Sequence, residues 1–179
     1  FPAKEIIPLS FFMGLFMDAM LVVSTYKYRP KKKILELVVM GILGAPIGVM
    51  MFFKLNAAIF EPILGVFLFL AVVILYLKKL SIPHNQLTRS VFGFITGVMG
   101  ALFGVAGPFI SIFLLSDRSL SRKQNIFVMN IYFVGITFVA FMGYIVKGAY
   151  SNLGFDQGVL LLMITVFGAI FGLIIGQRL

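Results

Sequence analysis

The chain has no cysteine, no tryptophan, a single histidine, and only six acidic residues among 179. Without cysteine there is no disulfide framework and no thiolate chemistry. One histidine, His84, cannot assemble a haem or metal site of familiar type. Neither His-Glu-x-x-His nor Gly-x-Ser-x-Gly occurs, and no phosphate-cradling loop for a nucleotide is present. The sequence therefore predicts neither an enzyme nor a cofactor. With tryptophan absent, tyrosine, lysine and arginine must anchor any membrane interface.

Charge is also scarce. Charged residues make up 12% of the chain and hydrophobic ones 61%, against about 25% and about 45–50% in soluble domains. Mean hydropathy is +1.10. Apolar runs of about 20 residues recur, each long enough to cross roughly 30 Å of hydrocarbon. Barrel strands would be about ten residues long with alternating polarity, a pattern this chain lacks. The expectation is an all-α, multi-pass integral membrane protein of a bacterial or archaeal plasma membrane. The net charge of +9 sits mainly in short loops. It suits membrane lipid headgroups and orientation, with no nucleic-acid partner.

Six hydrophobic segments are expected, at 6–26, 34–53, 57–77, 91–115, 125–146 and 158–176. The polar stretch at 81–90 divides a first transmembrane repeat, 1–80, from a second, 91–179. Loops 27–33, 78–90 and 147–157 hold five, three and one Lys or Arg, which places that side in the cytoplasm. The basic stretch DRSLSRK at 117–123 then falls on the opposite side, unless the fourth segment does not cross simply. VVMGILGAPIGVMM at 38–51 aligns with LMITVFGAIFGLII at 162–175, both carrying Gly-Ala-x-x-Gly. The repeat is out of phase with the segment count. It predicts two repeats of four helices, with the first and last helices outside residues 1–179.

The stretch GVMGALFGVAGPFISIF at 97–113 places four glycines and a proline in an uncharged run. Gly104 and Gly107 allow a helix to unwind, and Pro108 suits the first turn of a new one. The spacing predicts a helix over 91–103, a break near 104–108, and a half-helix from Pro108. The start of that half-helix would offer backbone N–H groups to an anion without a buried cation. Ser111, one turn in, adds a hydroxyl. The alternative is a Pro-kinked helix packed through its glycines.

Asp18 is the only acid deep inside a hydrophobic segment, which makes it the proton-coupling candidate. Its structural alternative is a shallow cavity or pairing with a cation such as Lys54. Asn130 is able to donate to an anion or to bond across helices. Gln124 and Asn125 are expected to cap their segment. Thr96, Thr137 and Thr165 are expected to bond back to their own helices. Glu36 and Glu61 are expected at interfaces, and His84 in solvent.

GFITGVMGALFGVAGPFISIFLL at 93–115 resembles the glycine-rich signature of the sulfite exporter TauE/SafE family. The matching positions are Gly93, Gly97, Gly100, Gly104, Gly107 and Pro108, with Ala106 where that family usually has glycine. The linker, the helix of Gly44, Ala45 and Gly48, and its copy at Gly168, Ala169 and Gly172 follow the same layout. The resemblance implies a two-repeat secondary carrier working by alternating access on sulfite, thiosulfate or an organosulfonate. The substrate-binding candidates are Gly104, Gly107, Pro108, Ser111 and Asn130. A passive anion channel and a non-transporting membrane scaffold are the competing functions.

Overall fold

Helices α2 (Leu35–Lys54) and α4 (Gln86–Phe103) lie backbone against backbone. Gly41, Gly44 and Gly48 recur along one face of α2, and Gly93, Gly97 and Ala101 along the facing side of α4. A Cβ at Gly44 would strike the Phe94 carbonyl, one at Gly97 the Gly41 carbonyl, and one at Gly93 would lie 2.5 Å from the Leu37 carbonyl. Only hydrogen fits there. Such close approach replaces the hydrophobic effect as the source of helix association where the surroundings are themselves apolar.

In this computed structural model, residues 3–30, 35–77, 83–117, 119–151 and 155–176 are described, and all their regular structure is helical. The other helices are α1 (Ala3–Thr25), α3 (Ala57–Leu77), α5 (Gly107–Ser116), α6 (Arg122–Val146) and α7 (Phe155–Gly176), with a 3₁₀ turn at Tyr26–Tyr28 after α1. Among the described residues, three stretches are long and apolar enough to cross a membrane: Ile7–Tyr28, Leu35–Lys54 and Arg122–Val146.

The fourth hydrophobic segment is a hairpin rather than one helix. The Phe92 ring, near the start of α4, stacks on Phe113, near the end of α5, with centroids 4.8 Å apart. His84, just before α4, also lies against Phe113, and its Nε2 is 3.0 Å from the Ser116 hydroxyl. Its Nδ1 is 3.9 Å from the Asp117 carboxylate. Both outer ends of the hairpin therefore sit at one end of the bundle. The expectation of a solvated His84 is corrected: the ring latches the mouth of this hairpin.

The hairpin is the case left open for 117–123, in which the fourth segment does not cross simply. Helices α1 and α6 run antiparallel, tied by Thr137 to Asp18 and by Tyr150 to the Pro8 carbonyl. Burial pushes the Tyr150 phenol up from its ordinary value, which keeps it protonated as a donor. At the other end of this pair the Lys123 ammonium lies 5.1 Å from the Tyr28 ring centre. The stretch after α5 thus shares an end with the stretch after α1. A chain that enters and leaves α4–α5 at one end gains no change of side there.

Caps and ties follow local chemistry. Ser121 and Gln124 form a reciprocal capping box on α6, so Gln124 acts as expected, whereas Asn125 does not cap. Asn85 caps α4 through the Thr88 N–H at 2.7 Å. Glu36 lies 3.5 Å from Arg89, joining the starts of α2 and α4. Thr96 bonds back to the Phe92 carbonyl at 2.6 Å and also meets the Tyr132 hydroxyl. Thr165 bonds back to Leu161 at 2.8 Å. Thr137 departs from expectation, because its hydroxyl reaches across to α1.

Gly97→Val is expected to destabilise the protein by about 1–3 kcal/mol or more, the range for overpacking a tight interface. Gly65→Val should be near neutral, since a Cβ there meets nothing within 4 Å. Thermal unfolding of the two variants in detergent checks the difference.

Candidate functional site: a cavity at the broken helix

Helix α4 stops at Gly104, whose φ of +72° lies in the left-handed region that favours glycine. The Gly104 N–H closes the last turn on the Gly100 carbonyl at 2.8 Å. The Ala101 carbonyl is one of the four that a helix end leaves without a partner. Tyr144 of α6 supplies one, its hydroxyl donating at 2.9 Å from a fully buried ring. Tyr132, about three turns earlier on α6, donates to the Gly93 carbonyl at 2.9 Å. Two phenols thus hold α4 along its length, one of them at the break.

The chain turns back sharply after Gly104. A Cβ at Gly100 would come within 2.8 Å of the Ala106 Cβ, so the fold needs glycine there. Helix α5 then begins at Gly107, with Pro108 in its first turn and no side chain capping it. Proline has no N–H to leave unpaired at this position. The N–H groups that α5 does have at its start are uncapped by protein side chains, and they carry the positive end of the helix dipole.

That helix start opens onto a cavity of about 370 Å³. The break contributes Gly104 to Pro108, α1 contributes Ser10, Gly14 and Asp18, and α6 contributes Phe133 and Thr137. The Asp18 carboxylate accepts a hydrogen bond from the Thr137 hydroxyl at 3.0 Å. Among the described residues it forms no ion pair, with Lys54 or with any other cation. A Cβ at Gly107 would meet only the Phe133 ring, 3.9 Å away, and one at Gly14 would lie 3.7 Å from Thr137. Both glycines therefore border free space, unlike those between α2 and α4. The cavity has room for a small oxyanion and several waters.

The structure gathers four of the six sequence-predicted residues here: Gly104, Gly107, Pro108 and Asp18. The other two point elsewhere. The Ser111 hydroxyl faces the Met129 sulfur at 3.3 Å. The Asn130 amide donates to the Thr25 hydroxyl at 3.3 Å, bonding α6 to α1. Ser10, Gly14 and Thr137 were missed by sequence reasoning. Ser10, Gly14 and Asp18 are spaced by four, which puts them on one face of a helix, and that spacing was the available signal. Among the described residues there is no cluster of His, Cys, Asp or Glu able to hold a metal ion.

Comparison with known proteins adds one finding. The family model described as Sulfite exporter TauE/SafE matches residues 1–179. No curated protein and no solved structure matches the chain.

Tyr144→Phe leaves the buried Ala101 carbonyl without its donor while keeping the ring. It is expected to lower stability by about 1–3 kcal/mol, the cost of an unsatisfied buried acceptor. The same change at Tyr26, whose ring is exposed, should leave unfolding unchanged. Denaturation in detergent compares the two.

Proposed function

Because the chain belongs to the sulfite exporter TauE/SafE family, we propose that it carries a small sulfur-containing oxyanion across the membrane as a secondary carrier. Sulfite stands first among the candidate substrates, followed by thiosulfate and organosulfonates. The observation that carries this reading is the shared cavity: the uncapped start of α5 and the Asp18 carboxylate line one space.

The two groups have opposite consequences for an anion. The helix start attracts it through N–H groups and dipole. An ionised Asp18 repels it. Two unit charges about 6 Å apart repel by about 3 kcal/mol at an effective dielectric of about 20. An anion in the cavity therefore favours the protonated carboxyl, and a protonated carboxyl favours the anion. This reciprocal preference is the physical basis of proton–anion coupling. Thr137 holds the carboxyl in place from α6, and Ser10 adds a hydroxyl to the wall. The reading keeps 1–80 and 91–179 as two repeats that rock against each other around the cavity, as alternating access requires.

A passive channel would use the same helix start and need no titrating group. A non-transporting scaffold would need a packed interior at Gly107, and the free space beside that glycine favours transport.

In proteoliposomes, Asp18→Asn is expected to retain anion flux while losing its dependence on a proton gradient. If the variant keeps full gradient dependence, Asp18 is not the coupling group. Gly107→Val should reduce flux at least about tenfold without lowering the unfolding temperature, because its side chain enters open space. A misplacement of about 1 Å within a site can cost about 100-fold, so a loss of about tenfold is the lower bound of the expectation.

A further inference from the structure

A second and larger hollow adjoins the cavity at the break, sharing Ser10 and Gly14 with it. It is an open groove of about 830 Å³ running along α1 and α7. Its long wall is a stripe on α1 that includes Met13, Met17, Met20 and Leu21. Its other wall is α7, through Ile164, Thr165, Gly168 and Gly172. A Cβ at Gly168 or Gly172 would meet nothing within 4 Å. The glycines thus deepen the groove, and among the described residues they touch no neighbouring helix there.

The groove changes character at one end. Ser24, Thr25, Lys27 and Tyr28 line it there. The Lys27 and Lys123 ammonium groups each lie 5.1 Å from the Tyr28 ring centre. Among the described residues neither lysine forms an ion pair with a carboxylate. Arg29, beside them, is turned onto Tyr26, its guanidinium 5.0 Å from that ring centre. Two cations held on one phenol without a counter-ion call for an anion. A flexible apolar wall leading away from them calls for a chain.

We infer that this groove binds an anionic phospholipid, with the phosphate at Lys27 and Lys123 and an acyl chain along the methionines of α1 and the glycine face of α7. Charge complementarity commits the site to lipid: an uncharged or zwitterionic headgroup leaves the two ammonium groups unneutralised. The methionines suit an acyl chain because their unbranched side chains adapt to irregular apolar surfaces. The site meets the substrate cavity at Ser10 and Gly14, but it does not depend on which anion is carried.

The test is photo-crosslinking of the full protein in vesicles containing phosphatidylglycerol or phosphatidylcholine with a diazirine on the acyl chain. Adducts are mapped by peptide mass spectrometry. Phosphatidylglycerol is expected to label the peptide holding Met13, Met17 and Met20, about tenfold more than phosphatidylcholine does, the order expected of two lysines near an anionic headgroup. Lys27→Gln with Lys123→Gln should remove that preference, and both positions lie outside the packed core, so folding is retained. Gly168→Leu should reduce labelling by filling the groove. Equal labelling by the two lipids overturns the proposal. So does an unlabelled α1 stripe, which would mean that another helix covers it. Soluble glycerol phosphate should not compete; if it does, the lysines bind a free anion and the lipid assignment fails.

Discussion

The hydrogen bond from Tyr144 to the Ala101 carbonyl is the interaction on which the broken helix depends. A helix that ends inside an apolar bundle exposes carbonyls that water cannot reach, and each is costly to leave unpaired. The break survives because one is claimed by a phenol from a neighbouring helix and another by the Gly104 N–H. The aromatic packing around Tyr144, including Phe11 stacked at 5.4 Å and Phe52 edge-on at 4.9 Å, fixes where that phenol points. The start of α5, and with it the cavity, is placed by this arrangement.

The glycines divide into two kinds. Gly44 and Gly97 are there because backbone lies where their Cβ would be, and they weld α2 to α4. Gly14 and Gly107 are there because their hydrogens keep a space open. The weld gives the site a rigid wall, and the open pair gives it volume. One residue type thus serves two opposite purposes within a few residues of chain, and only the neighbours reveal which.

Much of this was legible in the sequence. Gly104, Gly107 and Pro108 marked the break because glycine lets a helix end in a left-handed turn at little cost and proline suits the first turn of the next one. Asp18 stood out because an acid among apolar residues needs a reason. The family could be recognised from the same stretch, and the whole-length match supports it. What could not be read was anything set by the partner across a gap. Thr137 looks like any helical threonine until α1 is beside it. Tyr144 looks like an interface anchor until its hydroxyl is found on α4. Asn130 has the chemistry to bind an anion, but the nearest acceptor is Thr25. The charge count at 117–123 left two cases open, and the hairpin of α4 and α5 is the one in which the fourth segment does not cross simply.

The hairpin of α4 and α5 has a consequence for how the chain enters a bilayer. Its two outer ends meet at His84 and Ser116, so the segment can be laid in as a loop from one side. Arg122 and Lys123, which follow it, would then not have to be carried through hydrocarbon during biosynthesis. Translocating such cations is among the more costly steps of membrane insertion. A turn that opens a cavity in the finished protein would also spare the nascent one that crossing.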